Sequence, residues 1–278
     1  MHKIYTYIAG ARREYCEDAL YADERCAFVI DGATGVSGER VTDAETDAAW
    51  FARRYRAYLC AALHEDREIE DILADGVRAV AAEYLRFDGA DRVKDKPSAV
   101  VSVVRERGGY LEYYSLGDTV AVIRKKSGEV LHILDTRLVE LDNINFGRMK
   151  EIAARTGKTL REAFADIRPY ILQNRAKMNT PEGYGALSHT TDGLDTALTG
   201  KIPLCEVRDV LVFSDGFAEI YDLFGLYPSP AALIGEVSAN GILPAIGRLH
   251  AAQDADPECE KFVRNKLRDY ISVVYAFI

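Results

Sequence analysis

The chain has 278 residues, 48% hydrophobic and 28% charged, with 44 acidic against 35 basic side chains and a formal net charge of −9. That apolar content excludes intrinsic disorder. No run approaches the roughly 18 apolar residues of a membrane span, and an acidic chain without a basic block is a poor match for nucleic acid. The N-terminal stretch lacks the long apolar segment of a secretory signal. The five cysteines (Cys16, Cys26, Cys60, Cys205 and Cys259) are odd in number, widely spaced and form no C-x-x-C pair. This usage fits a reducing, cytoplasmic setting and gives no support to a zinc ribbon or thioredoxin-like chemistry. Cys26 and Cys205 lie in apolar runs and are expected in the core.

In chain order, strand-like runs are expected at 3–9 and 26–30 from their β-branched and aromatic content. Two helices follow. Ala48, Phe51, Tyr55, Tyr58 and Ala62 repeat at helical spacing, as do Ile69, Leu73, Val77, Val80 and Tyr84. Thr42 or Asp43 is the expected N-cap of the first. Strands then recur at 99–104, 110–115, 120–124 and 130–134, with Gly108-Gly109 and Ser127-Gly128-Glu129 reading as hairpin turns. A helical stretch is expected at 148–167, a strand at 210–213, a helix at 230–238 and a last strand at 271–277. Hairpin-linked strand blocks separated by helix pairs read as α+β layering, not βαβ alternation. The one compositional break, 143–190, is more polar, and the segment 143–199 reads as a divergent insertion on a single domain spanning 1–278.

Several catalytic signatures are absent. There is no Walker-type G-x-x-x-x-G-K-[ST], no G-x-S-x-G and no H-E-x-x-H, and the five histidines are scattered. What remains is a set of acids at strand ends: Glu17-Asp18, Asp31-Gly32, Gly117-Asp118, Asp215-Gly216 and Asp269. Any one Asp-Gly after a strand is ordinary turn chemistry. The set is the signal, because strand ends open into the loops where function concentrates. Carboxylate clusters without His or Cys suit hard divalent cations.

The order Arg13-x-x-x-Glu17-Asp18, Asp31-Gly32, Gly117-Asp118, Ser214-Asp215-Gly216, then Asp269 before a terminal apolar strand, resembles the type 2C protein phosphatases. These are the metal-dependent, PPM-type serine/threonine phosphatases. The resemblance runs from about residue 5 to 277. It implies a four-layer αββα sandwich of two antiparallel sheets flanked by helix pairs. It implies two Mn²⁺ or Mg²⁺ ions, a third site of lower affinity, and phosphorylated proteins as substrates. Asp31 corresponds to the ligand bridging both metals, Glu17 and the Gly32 carbonyl to ligands of one, and Asp215 and Asp269 to ligands of the other. Asp18 corresponds to a group acting through metal-bound water, and Asp118, Asp215 and Glu219 to the third site. Arg13 corresponds to the clamp on the substrate phosphate, with Arg12 its competing neighbour. The implied reaction is direct attack by a hydroxide held between two metals, with no covalent enzyme intermediate.

The chain departs from the family pattern at four places. Ala33 stands where the family has Met or His, so a histidine acid is missing there. Thr119, Val120 and Ala121 replace a Ser and Arg, and Tyr270 replaces the Asn after the last Asp. Residues 143–199 carry 179–185 and 189–193, two turn-rich stretches that fit a substrate flap. Arg175 and His189 lie there without an assigned role. Two other readings compete with an active protein phosphatase. One is an inactive relative that binds partners through the same fold, the other a metal-dependent hydrolase of small phosphate esters.

Overall fold

The computed structural model describes residues 1–10, 15–35 and 38–278. In chain order the elements are β1 (His2–Ala9), β2 (Ala19–Ala22), β3 (Cys26–Ala33), α1 (Asp47–Ala62) and α2 (Ile69–Tyr84). Then come β4 (Ser98–Arg107), β5 (Tyr110–Leu116), β6 (Val120–Lys125) and β7 (Val130–Ile133), followed by α3 (Thr136–Thr156), α4 (Leu160–Asp166) and α5 (Arg168–Arg175). The chain closes with β8 (Leu198–Pro203), β9 (Val207–Phe213), α6 (Asp215–Asp222), α7 (Pro230–Asn240), α8 (Ile242–Asp254) and β10 (Ile271–Phe277).

The strands form two five-stranded antiparallel sheets, ordered β1-β10-β9-β6-β7 and β2-β3-β4-β5-β8. Period-2 alternation sorts their side chains. Ala27 and Val29 of β3, Val210 and Val212 of β9, and Val274 and Ala276 of β10 meet between the sheets. Phe28 and Ile30 pack instead under α1 and α2, against Phe51, Tyr55 and Leu73. Leu211, Phe213, Val273 and Tyr275 pack under α6, α7 and α8. Both faces of each sheet are therefore covered, which explains why these strands read as continuous apolar runs. The αββα sandwich implied by the family resemblance is the observed architecture. Among the described residues no helix is long and apolar enough to cross a membrane.

Local chemistry corrects four expectations. Thr46, not Thr42 or Asp43, caps α1, its hydroxyl accepting the Ala49 N–H at 3.1 Å. Thr42 instead donates its hydroxyl to Asp47 at 2.7 Å. The helix expected at 148–167 is two helices. Gly157 takes φ 74° and ends α3, and a Thr159–Glu162 capping box starts α4. The sequence break drawn at 143 falls inside α3. Cys205 is exposed in a short 3₁₀ turn, whereas Cys26 is buried.

A buried ion pair ties the second sheet to the α1–α2 loop. Arg105 is fully buried and donates to Glu112 Oε2 through Nε (3.0 Å) and Nη2 (2.5 Å), and to the Arg67 carbonyl at 2.8 Å. Removing one partner strands a buried charge. Glu112→Ala should cost about 3–5 kcal/mol of stability in urea unfolding, with activity of the folded fraction unchanged. A loss below about 1 kcal/mol would show the pair is solvated, as surface pairs are.

Candidate metal centre

The acids of the sequence motif reach one end of the sandwich because the strands carry them there. On β3, Ala27 and Val29 face the other sheet, so Asp31 shares that inter-sheet side, opposite Val100 on β4. Gly117 and Asp118 lie where the chain leaves β5 in one sheet and enters β6 in the other. Gly117 has φ 78°, and a Cβ there would stand 2.1 Å from Val100 Cγ1, so only glycine makes this crossover. Asp215 is the first residue of α6, directly after β9, and β9 pairs with β10, which follows Asp269. Gly216 lets this helix start press on the Tyr270 carbonyl, 2.1 Å from where a Cβ would be. Glu219 sits one turn on from Asp215, on the same helix face. Its Oε2 accepts the Gln253 amide at 2.9 Å.

Glu17 arrives from the other side. Its backbone carbonyl would lie 2.3 Å from a Cβ on Gly32, so Glu17 and the Asp31-Gly32 pair are packed backbone to backbone. The Thr34 hydroxyl donates to Glu17 Oε1. Asp18 is buried, and neither carboxylate oxygen has a hydrogen-bond partner. The Ser272 and Ser214 hydroxyls lie beside it and partly offset the effect of its burial.

A cavity of about 540 Å³ is lined by Asp118, Asp142, Asp215, Glu219, Asp269 and Lys266, among others. A second, of about 140 Å³, is lined by Asp31, Asp118, Asp142, Asp215 and Arg175, among others. Shared walls make them one cleft. It gathers Asp31, Asp118, Asp215, Glu219 and Asp269, while Glu17 and Asp18 stand behind it. Arg13 and its neighbour Arg12 lie outside the described residues.

Electrostatics fixes the character of the cleft. Burial first, then the charges of Asp215 and Asp269, push Asp18 up to about 8. Burial and Asp269 push Asp215 up to about 7. Burial raises Glu219 to about 8, with Asp269 and Asp215 adding to it. Asp31 is held well above the usual carboxylate range by burial, then by Asp18, Asp215 and Asp118. Asp118 is raised likewise by burial, Asp215 and Asp142. Among the described residues, Lys266 is the cation paired directly with one of these acids. Lys266 Nζ sits 2.5 Å from Asp269 Oδ1, which also accepts the Tyr270 N–H at 2.7 Å. Burial alone would lower this ammonium, yet Asp269, Asp215 and Asp31 hold it above its ordinary value.

Sequence reasoning missed three members. Asp142, raised to about 6 by burial and Asp269, comes from α3, where no strand end or glycine marks it. Lys266 is legible only as a basic residue three before Asp269. Arg175, left unassigned above, donates from Nη2 to the Ala33 and Thr34 carbonyls at 3.2 and 3.1 Å, just past Asp31-Gly32. His189 is exposed and lines neither cavity.

The donor set fits hard divalent cations: oxygens only, buried, and pressed together against their own repulsion. The two orphaned oxygens of Asp18 point the same way, since buried polar atoms ordinarily find partners. Among the described residues, no three of these acids bring oxygens within 4.8 Å of one another.

The sequence matches the family model described as "Protein phosphatase 2C" over residues 10–238. The chain belongs to the protein phosphatase 2C family. Members are serine/threonine protein phosphatases, which places this enzyme among the phosphatases. Its fold is similar to that of the Mycobacterium tuberculosis serine/threonine phosphatase PstP/Ppp, at 18% identity and a TM-score of 0.55, covering 99% of this chain and 98% of that one. A PstP catalytic domain crystallised with two manganese ions matches at 16% identity and a TM-score of 0.55, over 99% of this chain and 98% of that one. Stp1 from Staphylococcus aureus matches at 13% identity and a TM-score of 0.54, over 100% of this chain and 95% of that one. Identities this low speak for the shared fold alone. Among curated proteins no relative matches.

The raised carboxyls make a linked prediction for the metal-free phosphatase. Their folded values exceed the ordinary 3.8 of Asp and 4.5 of Glu, so the native state binds more protons than the unfolded chain up to about pH 8. Their contribution is present below about pH 4 and is lost as pH rises towards 8. Thermal unfolding in chelator should show Tm falling between pH 5 and pH 8. Mn²⁺ at pH 8 should restore it, because a ligand that binds only the native state stabilises it. A metal-free Tm that rises over this range would contradict the burial of these acids.

Proposed function

We propose that this phosphatase 2C is an active, metal-dependent phosphoserine/phosphothreonine protein phosphatase. The observation that carries the reading is the convergence of Asp31, Asp118, Asp215, Glu219 and Asp269, five acids from four distant parts of the chain, on one cleft. In this reading Asp31, Glu17, the Gly32 carbonyl, Asp215 and Asp269 would hold two Mn²⁺ or Mg²⁺ ions, Asp31 serving both. Asp118, Asp215 and Glu219 form a third, weaker site, and Asp18 acts through water. Bound there, the cations supply positive charge against the phosphate and lower the pKa of an attacking water.

The chain's own residues do the rest. Asp31 and Asp215 would donate carboxylate oxygens to the cations, held in place by β3 and by the start of α6. Arg13 binds the phosphate oxygens as a bidentate donor. In-line attack forms one P–O bond from water as the bond to the Ser or Thr oxygen breaks, and that oxygen leaves with a proton. With Ala33 where the family has Met or His, no histidine at that position donates it. The segment 143–199 acts as a flap within a single catalytic domain, with Arg175 fastening it to the loop after Asp31. The five free cysteines suit a cytoplasmic enzyme.

One observation favours a second reading, an inactive binding module. Lys266 already neutralises Asp269, and a fixed ammonium there substitutes for a cation. Activity separates the two. The recombinant chain should hydrolyse p-nitrophenyl phosphate with Mn²⁺ and stop with chelator, and should prefer phosphopeptides over small esters. Asp215→Asn should lower kcat by more than about 100-fold, since even outer partners of a metal ligand cost 10–100-fold. A chain inert with every divalent metal, or an Asp215→Asn variant at full rate, would leave only the binding module.

A further inference from the structure

At the opposite end of β3 from Asp31 a second, chemically different group of side chains converges. Asp23 in the β2–β3 turn, Cys26 at the start of β3 and His64 just past α1 bring one ligand atom each within 4.8 Å of one another. The turn presets the carboxylate. Asp23 Oδ1 accepts the backbone N–H groups of Arg25 (2.8 Å) and Cys26 (2.9 Å). Its Oδ2 is thereby aimed at His64 Nε2, 2.9 Å away, and accepts the Tyr21 hydroxyl at 2.9 Å. A hydrogen bond from a neighbouring hydroxyl is what orients a carboxylate ligand in metal sites. Cys60, on the last turn of α1, lies beside these three, with its thiol outside their 4.8 Å cluster. Cys26 is among the core residues against which it packs, and its thiol senses the Asp23 carboxylate.

We propose that Asp23, Cys26, Cys60 and His64 form a structural site for a thiophilic divalent cation, zinc above all. One oxygen, one nitrogen and two sulfurs from four residues are a donor set for tetrahedral Zn²⁺, in contrast to the oxygen-only cleft that suits Mn²⁺ or Mg²⁺. Tetrahedral bonds of about 2.0–2.3 Å separate ligand atoms by roughly 3.4 Å, so the three clustered atoms close with small side-chain movements and the Cys60 side chain turns in to join them. Binding displaces the thiol protons of Cys26 and Cys60 to solvent and leaves His64 neutral. Two thiolates and a carboxylate around Zn²⁺ leave one net negative charge. Arg56 stands beside it, four residues before Cys60, with its Nε on the Leu20 carbonyl at 2.6 Å and its guanidinium over the Tyr21 ring. The site staples the β2–β3 turn to the end of α1. Five residues of strand, about 17 Å, separate it from Asp31, so it shapes stability and not hydrolysis.

The test uses the full chain with the oxygen cleft saturated by Mn²⁺, to which Co²⁺ is added as a spectroscopic stand-in for zinc. One equivalent should bind with a sulfur-to-cobalt charge-transfer band, which only thiolate ligation produces. Cys26→Ser and Cys60→Ser should each weaken that band, and the half-exposed His64→Ala, which keeps the core intact, should lower Co²⁺ and Zn²⁺ affinity at least tenfold. Zinc should raise the Tm of the parent but not of His64→Ala, with phosphatase activity equal in both. Absence of the band in the parent overturns the proposal, as does a band that survives all three substitutions. An equal Tm response in parent and His64→Ala does the same. None of these outcomes depends on whether the acidic cleft hydrolyses phosphate.

Discussion

Like-charge repulsion among buried carboxylates is the constraint around which this molecule is arranged. Asp18, Asp31, Asp118, Asp215 and Asp269 sit at one end of two packed sheets, each felt by at least one of the others. Burial already disfavours their ionised forms, and proximity adds to the penalty. A fold tolerates such a cluster only with protons, a cationic side chain or metal ions to balance it. Lys266 balances part of it here, through Asp269. The rest is the physical reason to expect divalent cations, and it ties part of the acidic excess of the chain to function instead of solubility.

The sandwich is what makes the crowding possible. Apolar contacts on both faces of each sheet fix strand ends to within a residue, and the carboxylates ride on those ends. Three glycines allow the last approach: Gly32 under the Glu17 carbonyl, Gly117 at the crossover against Val100, and Gly216 on the Tyr270 carbonyl. A side chain at any of them would push one acid away from the others. The same strand that delivers Asp31 to this cleft begins at Cys26, in a pocket of softer donors. One strand thus connects two sites of opposite chemical taste, one suited to hydrolysis and one to anchoring.

Much of this was legible in the residues. Hairpins at Gly108-Gly109 and Ser127–Glu129 and the α2 periodicity follow local rules that tertiary packing reinforces. The acids were legible because each stands at one end of an apolar run, so their common address at the sheet end follows from strand direction. Elements without such a signature were not. β2 has only four residues, and β8 is largely exposed, a polar edge strand with no apolar alternation to read. The α3–α4 break was written in Gly157 and in Thr159 with Glu162, inside a stretch whose residues favour helix on either side. Asp142 and Lys266 enter the cleft from segments whose docking depends on long-range packing, which no local spacing encodes. The same holds for Cys26 and Cys60, 34 positions apart in the sequence and joined only by the seating of α1 on β3.

The central claim is that the crowded carboxylates exist to hold cations, and calorimetric titration of the metal-free chain with Mn²⁺ tests it most directly. The account predicts at least two Mn²⁺ per chain for the parent and weakened binding of both in Asp31→Asn, because that carboxylate is shared between them. A parent chain that binds no Mn²⁺, or an Asp31→Asn variant that binds it with unchanged stoichiometry and affinity, would contradict it.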